Sequence, residues 1–299
     1  MTQFAHVLPA VTFVCLWSTG FIGGRLGTPH ADPLTFLLIR FAIASLLLAG
    51  LAALAGVKWP RGKAALHLAV SGLLVHGAYL GGVFVALSLG VSAGLVALIV
   101  GLQPLLTGAA SGWLLGVAVR PLQWAGLGLG LVGVLLVLWE KLAAQAGVPP
   151  LGVALAVFAL LAITFGTLYQ KRFVVPSDLR SATAWQYLVC TLVYGAIVPW
   201  IEPMRVDWTP EFIFALAWLV LVLSVGAILL FFTLIQRGSA AGVASLMYLV
   251  PPLTALVAWG LFGEHLGPLA LLGMAVTAAA VALVNRPAKV PPVSVAREA

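Results

Sequence analysis

The chain has 299 residues, of which 63% are hydrophobic and 8% charged, and its formal net charge is +7. A mean hydropathy of +1.15 lies far outside the soluble globular range, so composition excludes a water-soluble domain and points to an integral membrane protein. The positive balance does not indicate nucleic acid, because Lys and Arg sit in short clusters between apolar runs and form no basic face.

A helix needs about 20 apolar residues to cross ~30 Å of hydrocarbon. By that ruler the sequence predicts ten spans, at roughly 4–24, 33–55, 66–88, 92–115, 122–139, 151–171, 182–202, 212–236, 239–263 and 268–285. The start, MTQFAH, lacks a basic n-region and its apolar run has no small-residue cleavage site, so it reads as a first span and not a signal peptide. Trp17 and Ser18 fall two-thirds of the way along it. The second span opens at Pro33 and carries Arg40, the only charge well inside a span, some 10 Å deep at ~1.5 Å per residue. Such an arginine either snorkels outward or has a partner, which helix carbonyls or a substrate carboxylate could supply.

In the third span His76 and Tyr79 are one turn apart and share a face. In the fourth, Gln103 precedes Pro104. In the fifth, GLGLGLVG satisfies GxGxxG, but no strand precedes it, so dinucleotide binding is rejected; Gly126 and Gly130 read as a close helix contact of the kind protomer interfaces use. Trp185 and Gln186 open the seventh span, and Tyr248 precedes Pro251 and Pro252 in the ninth. Each of these polar or aromatic groups is costly in lipid unless partnered and is a candidate to face a binding cavity. The connections are short and marked by Pro, Gly or charge, and the tail 287–299 reads as disordered. Cys15 and Cys190 have no pair spacing and Glu264-His265 has no metal-ligand partner, so neither metal nor cofactor is expected.

The stretch Ser239–Leu261 has a relative at Val91–Trp113, offset by 148 residues, where Gly94/Gly242, Pro104/Pro252 and Gly112/Gly260 match without a gap. The offset also pairs Thr19 with Thr167 and Phe84 with Phe232. Two homologous halves follow, 1–146 and 147–286. Ten spans in two copies means five per copy, and an odd number inverts the second copy in the membrane. With the N-terminus inside, cytoplasmic segments hold eleven Lys and Arg and external loops three, namely Arg25, Lys141 and Arg205; both termini are therefore cytoplasmic. Inverted halves suit alternating access.

A proline inside a helix frees a carbonyl four residues back. Pro104 would free that of Val100, and Pro251 and Pro252 those of Met247 and Tyr248. The duplicated break predicts a central cavity lined from both halves, because bare carbonyls at that depth need protein or water around them. All eight acidic residues fall in loops, tails or span ends. A proton-driven exporter of cationic drugs would want a carboxylate at depth; proton coupling here would have to use His76 or move with the substrate.

The stretches LWSTGFIGG (Leu16–Gly24), PLTFLLIRF (Pro33–Phe41), Tyr79–Ser111, GTLYQKR (Gly166–Arg172) and Ser239–Leu266, in that order, resemble the drug/metabolite transporter superfamily in its ten-span EamA branch. The resemblance implies an inner-membrane carrier whose cavity is formed by spans one to four and six to nine, with spans five and ten peripheral; a monomer or weak homodimer is expected. The aromatic, carboxylate-free interior is most similar to that of the aromatic amino acid exporters, which makes a small zwitterion exported by alternating access the expected substrate. A broader metabolite or drug carrier is the alternative. A channel is the less favoured reading, and an enzyme is not expected because no HExxH, GxSxG or paired carboxylate is present.

Overall fold

The computed structural model describes residues 2–284 apart from 104, 108–109, 111–120, 144–146, 148, 176, 229, 231–249 and 265–266. Among the described residues the fold is all-α: α1 Thr2–Gly27, α2 Pro33–Leu54, α3 Gly62–Ser88, α4 Ala93–Val100, α5 Pro121–Ala143, α6 Pro150–Phe173, α7 Leu179–Ile201, α8 Pro210–Ala227, α9 Val250–Phe262 and α10 Pro268–Val284. Five of them, α2, α3, α6, α7 and α8, are long and apolar enough to cross a bilayer by themselves. Prolines open α2, α5, α6, α8 and α10, at positions where the missing N–H costs nothing.

The packing repeats about a pseudo-two-fold. Each helix in three pairs lies against its counterpart from the other half, α2 on α7, α4 on α9 and α5 on α10, while the contacts of α1 with α8 mirror those of α3 with α6. Antiparallel geometry is explicit in α2 and α7. Glu202, just past the end of α7, meets the start of α2, and Ser181, at the start of α7, meets Lys58 just past the end of α2. The face carrying Lys58, Arg61 and Lys63 is the cytoplasmic one by the distribution of loop cations.

Among the described residues two helices contain a π-helical stretch, and they do so at equivalent places. α3 widens to a π-helix over Leu73–Ala78 and α8 over Trp218–Ala227; moved by 148 residues, the first falls inside the second. The same offset pairs His76 with Ser224, one in each π-helical stretch. π-turns are rare and concentrate at functional sites.

Glycines set the closest crossings. A methyl on Gly82 of α3 would lie 2.7 Å from the carbonyl oxygen of Leu155 and 3.0 Å from the Cβ of Ala159. In α5 the stripe of Gly126, Gly130 and Gly133 is buried within the chain: Gly130 packs on Leu102 and Leu105, and Gly133 on Gly273 and Thr277 of α10. The expectation of a protomer-type contact there is corrected accordingly, because the stripe is consumed by an internal crossing.

The external ends of the two halves are tied together. Ala31 and Val206 form an isolated antiparallel bridge, flanked by Asp32 N–H to Arg205 C=O at 3.1 Å and Asp207 N–H to His30 C=O at 2.7 Å. The carboxylate of Glu202 accepts from the backbone N–H groups of Leu34 and Thr35 at 2.9 and 2.8 Å and from the Thr35 hydroxyl at 2.9 Å. It thereby caps α2 and offsets the dipole of that helix. Beneath this strap Phe36 meets Phe84 edge-to-face and Phe212 at a tilt, at ring distances of 5.2 and 4.9 Å, all essentially excluded from solvent. On the cytoplasmic face the equivalent loops are joined by the hydrogen bond from the Ser181 hydroxyl to Lys58 C=O, at 3.0 Å. Asp178 caps α7 there, and the Arg180 side chain beside it holds its carboxyl below the usual carboxylate range. Being depressed, that group stabilises folding fully above the ordinary carboxylate pKa and loses the contribution on acidification. Asp178→Asn is therefore expected to flatten a fall in thermal stability between about pH 5 and 3.

Candidate functional site

A cavity of about 400 Å³ lies on the pseudo-two-fold axis. Its wall takes residues from α1, α2, α3, α6, α7, α8 and α9 and from α4 with the turn that follows it, and none from α5 or α10. It runs from Gly20, Val83 and Phe84, the last of these a member of the external aromatic plug, to Gln170, Lys171 and Thr183 at the cytoplasmic ends of α6 and α7. Among the described residues the lining reaches solvent-exposed Lys171 at the cytoplasmic end, while the strap and plug close the other end.

Seven of the residues singled out in the sequence meet in this wall: Trp17, Arg40, His76, Tyr79, Gln103, Gln186 and Pro251. Arg40 does not snorkel. It is 6% exposed, and its Nε and Nη2 donate to the Ser224 hydroxyl at 3.3 and 3.2 Å. Across the axis, His76 Nε2 lies 3.3 Å from Gln186 Oε1, and the Gln186 amide donates to Ser71 at 2.8 Å. The two halves thus use one plan: a long helix, α2 or α7, places a polar side chain against the π-turn of the opposite half. Gln103 donates to the Thr167 hydroxyl at 3.2 Å, and its counterpart Thr19 accepts from Trp218 Nε1 at 2.8 Å.

Other candidates lie elsewhere. The Ser18 hydroxyl returns to Val14 C=O at 2.7 Å and packs α1 on α9, because an i−4 carbonyl is the nearest acceptor available to it. The Trp185 indole donates to Ala65 C=O at 2.9 Å and points at α3, since it sits about 100° around α7 from Gln186. Pro252 is not in this wall; it borders a separate void of about 10 Å³ with Leu98, Gly101 and Met274. Pro104 and Tyr248, with the carbonyls of Met247 and Tyr248, lie outside the described residues. In the fourth span the described chain leaves α geometry at Gly101 and Leu102, just before Pro104, and a methyl on Gly101 would meet Pro251 Cγ at 2.6 Å. The break of α4 therefore rests on α9 beside its prolines.

The sequence reading missed Tyr187, Thr167, Thr183, Gln170 and Lys171. The signal for two of them was present: Thr183, Gln186 and Tyr187 follow the i, i+3, i+4 spacing of one helix face, and Tyr187 lies 4.4 Å ring-to-ring from His76. No acidic residue is among the described lining, and three of the described acids serve helix ends. Glu202 caps α2, Asp178 caps α7, and Glu264 accepts from Ala93 N–H at the start of α4 at 3.0 Å. Among the described lining residues the fixed charges are Arg40 and Lys171, both positive.

The sequence matches the model of the EamA-like transporter family twice, over residues 5–139 and 150–286. It is 29% identical over 289 residues to the inner membrane transporter YedA of Escherichia coli K12, covering 95% of this chain and 92% of that one. It is 30% identical to the transporter YvbV of Bacillus subtilis, over 92% and 90% of the two chains. It is 26% identical, over 88% and 89%, to an Escherichia coli protein described as a probable amino-acid metabolite efflux pump. A solved crystal structure aligns with 94% of this chain and 97% of its own at a TM-score of 0.66 and 20% identity, a likeness of fold alone. A duplicated all-α bundle around one chamber, matched in both halves by one family, makes this chain a member of the EamA-like transporter family, a multi-pass inner-membrane transporter and not an enzyme.

Proposed function

We propose that the chain exports small amino acids and related metabolites, aromatic ones foremost, by exposing the central cavity to the two faces of the membrane in turn. The observation that carries this reading is the lining itself: Trp17, His76, Tyr79 and Tyr187 beside the amides of Gln103 and Gln186, in a volume within the usual range for small-molecule sites. Aromatic faces suit a ring, and the amides suit polar ends that must shed water. The likeness to a probable amino-acid metabolite efflux pump supports the same class. The pseudo-symmetric plan supports the mechanism, because the loops that close the outside have counterparts on the cytoplasmic face that can close there instead.

The test is uptake of a labelled amino acid panel into proteoliposomes, with and without a pH gradient. Aromatic amino acids are expected to move and to show counterflow, which a pore would not give. Movement of organic cations with aromatic amino acids ignored would replace this reading with the broader drug carrier. Trp17→Ala and Tyr79→Ala are expected to cut transport about tenfold with less than a twofold fall in folded yield. Equal loss of both would assign these side chains to packing.

A further inference from the structure

We infer that the carboxylate is the group this cavity demands and that an ammonium is dispensable, so that aryl carboxylates without an amino group are ligands and aryl amines are not. The inference rests on the reading of the cavity as the transport site and deepens it. Three observations carry it. Arg40 is more than nine-tenths buried, lines the chamber, and has no carboxylate within ion-pair distance among the described residues. Its only hydrogen-bond partner there is one hydroxyl oxygen, Ser224 Oγ, shared by Nε and Nη2 at 3.3 and 3.2 Å, while Nη1 makes no hydrogen bond among the described residues. The chamber's second fixed charge, Lys171 at the cytoplasmic mouth, is also positive, and no Asp or Glu appears in the described wall.

A guanidinium in a low-dielectric site with a single neutral partner is a costly arrangement, and a carboxylate is the ligand that relieves it. The Nε–Nη2 edge is a fork matched to two carboxylate oxygens, which would sit at about 2.7–2.9 Å. Ser224 fills that edge with one oxygen at longer range and can yield or share it. A cation in the same chamber meets two like charges and no counter-charge, so an ammonium adds little or opposes binding. Tyr187, packed on His76 at 4.4 Å ring-to-ring, lines the chamber together with Trp17 and Tyr79, so aromatic surface for a ligand ring faces the same cavity as the guanidinium. Lys171 at the entrance raises the local concentration of anions on the side from which export begins.

The experiment is ligand binding to the purified full-length protein in detergent, by thermal shift and tryptophan fluorescence, with three matched probes: phenylalanine, 3-phenylpropionate and 2-phenylethylamine. Phenylalanine and phenylpropionate are expected to bind within about fivefold of one another, and phenylethylamine at least tenfold more weakly. Binding of the amine as tightly as the acid, or binding of phenylalanine without phenylpropionate, overturns the inference and leaves the amino acid reading standing. Binding of none of the three overturns the reading of the cavity itself. In a folded Arg40→Gln protein the two carboxylates are expected to weaken at least tenfold, with Arg40→Lys recovering part of the loss. If Arg40→Gln does not fold, the wild-type ranking of the three probes decides alone.

Discussion

Replacing Glu202 with alanine is expected to raise about tenfold the rate at which the cavity is reached from outside the cell. One carboxylate accepts three hydrogen bonds at the start of α2, from two backbone N–H groups and the Thr35 hydroxyl. It joins the last residue of the α7 segment to the opposite half of the bundle. Charge-assisted bonds of this kind are worth about 1.5–3 kcal/mol each when their partners would otherwise be left dry, and less where water can replace them. At this part-exposed site a loss of about 1.4 kcal/mol from the externally closed form is a tenfold change in population. The Ala31–Val206 bridge and the Phe36–Phe84–Phe212 plug remain, so the outside is loosened and not dismantled. The measurement is labelling of Val83→Cys by an impermeant maleimide applied to whole cells, in a background with Cys15 and Cys190 replaced. Glu202→Gln, which keeps an oxygen but not the charge, is expected to fall between. Ser181→Ala, on the cytoplasmic side, removes one hydrogen bond between the halves and one local bond to Asp178 C=O, and is expected to change external labelling less than twofold. Unchanged labelling in folded Glu202→Ala would mean that the strap does not control external access.

Gly82→Val is expected to abolish folded protein, and Gly82→Ala to destabilise it by about 1–2 kcal/mol. Alanine gains about 1 kcal/mol in helix propensity over glycine. Against that, its methyl would lie 2.7 Å from a backbone oxygen of α6, which cannot swing aside as a side chain can. Overpacking of this sort costs about 1–3 kcal/mol per added group, and valine adds two more carbons to the same crossing. Thermal unfolding in detergent checks the first substitution and folded yield the second. A stabilised Gly82→Ala would show that α3 and α6 can move apart freely. By contrast Gly128→Ala, where a methyl would meet nothing within 4 Å, is expected to be neutral or slightly stabilising.

The membrane class, the ten helices and the duplication were legible because each rests on a one-dimensional quantity. Span length follows from bilayer thickness, and matched Gly and Pro residues survive as marks of backbone geometry. Arg40 and His76 could be named as candidates because a polar group in lipid is conspicuous wherever the helix turns it. Ser18 and Trp185 were conspicuous for the same reason, yet they bond to Val14 and Ala65. A helix that is apolar all round carries no amphipathic phase to say which side is inward. Tyr187 was overlooked and Trp185 chosen for that one reason, although they stand two residues apart on α7.

The chain's own letters determined that it crosses the membrane many times, that its halves are copies, that they run in opposite senses, and that its acids stay in loops, tails or span ends. Only the tertiary structure decided that Arg40 meets Ser224 and not a carboxylate, that π-turns recur at both His76 and Ser224, and that the external loops are strapped while, among the described residues, the cytoplasmic ends of the halves meet through Ser181 on Lys58 and His67 on Tyr169. The division is physical. Hydrophobicity and residue conformational preference are properties of single positions, whereas partners, π-turns and closure arise where helices from two halves meet, and no local preference encodes which of them will.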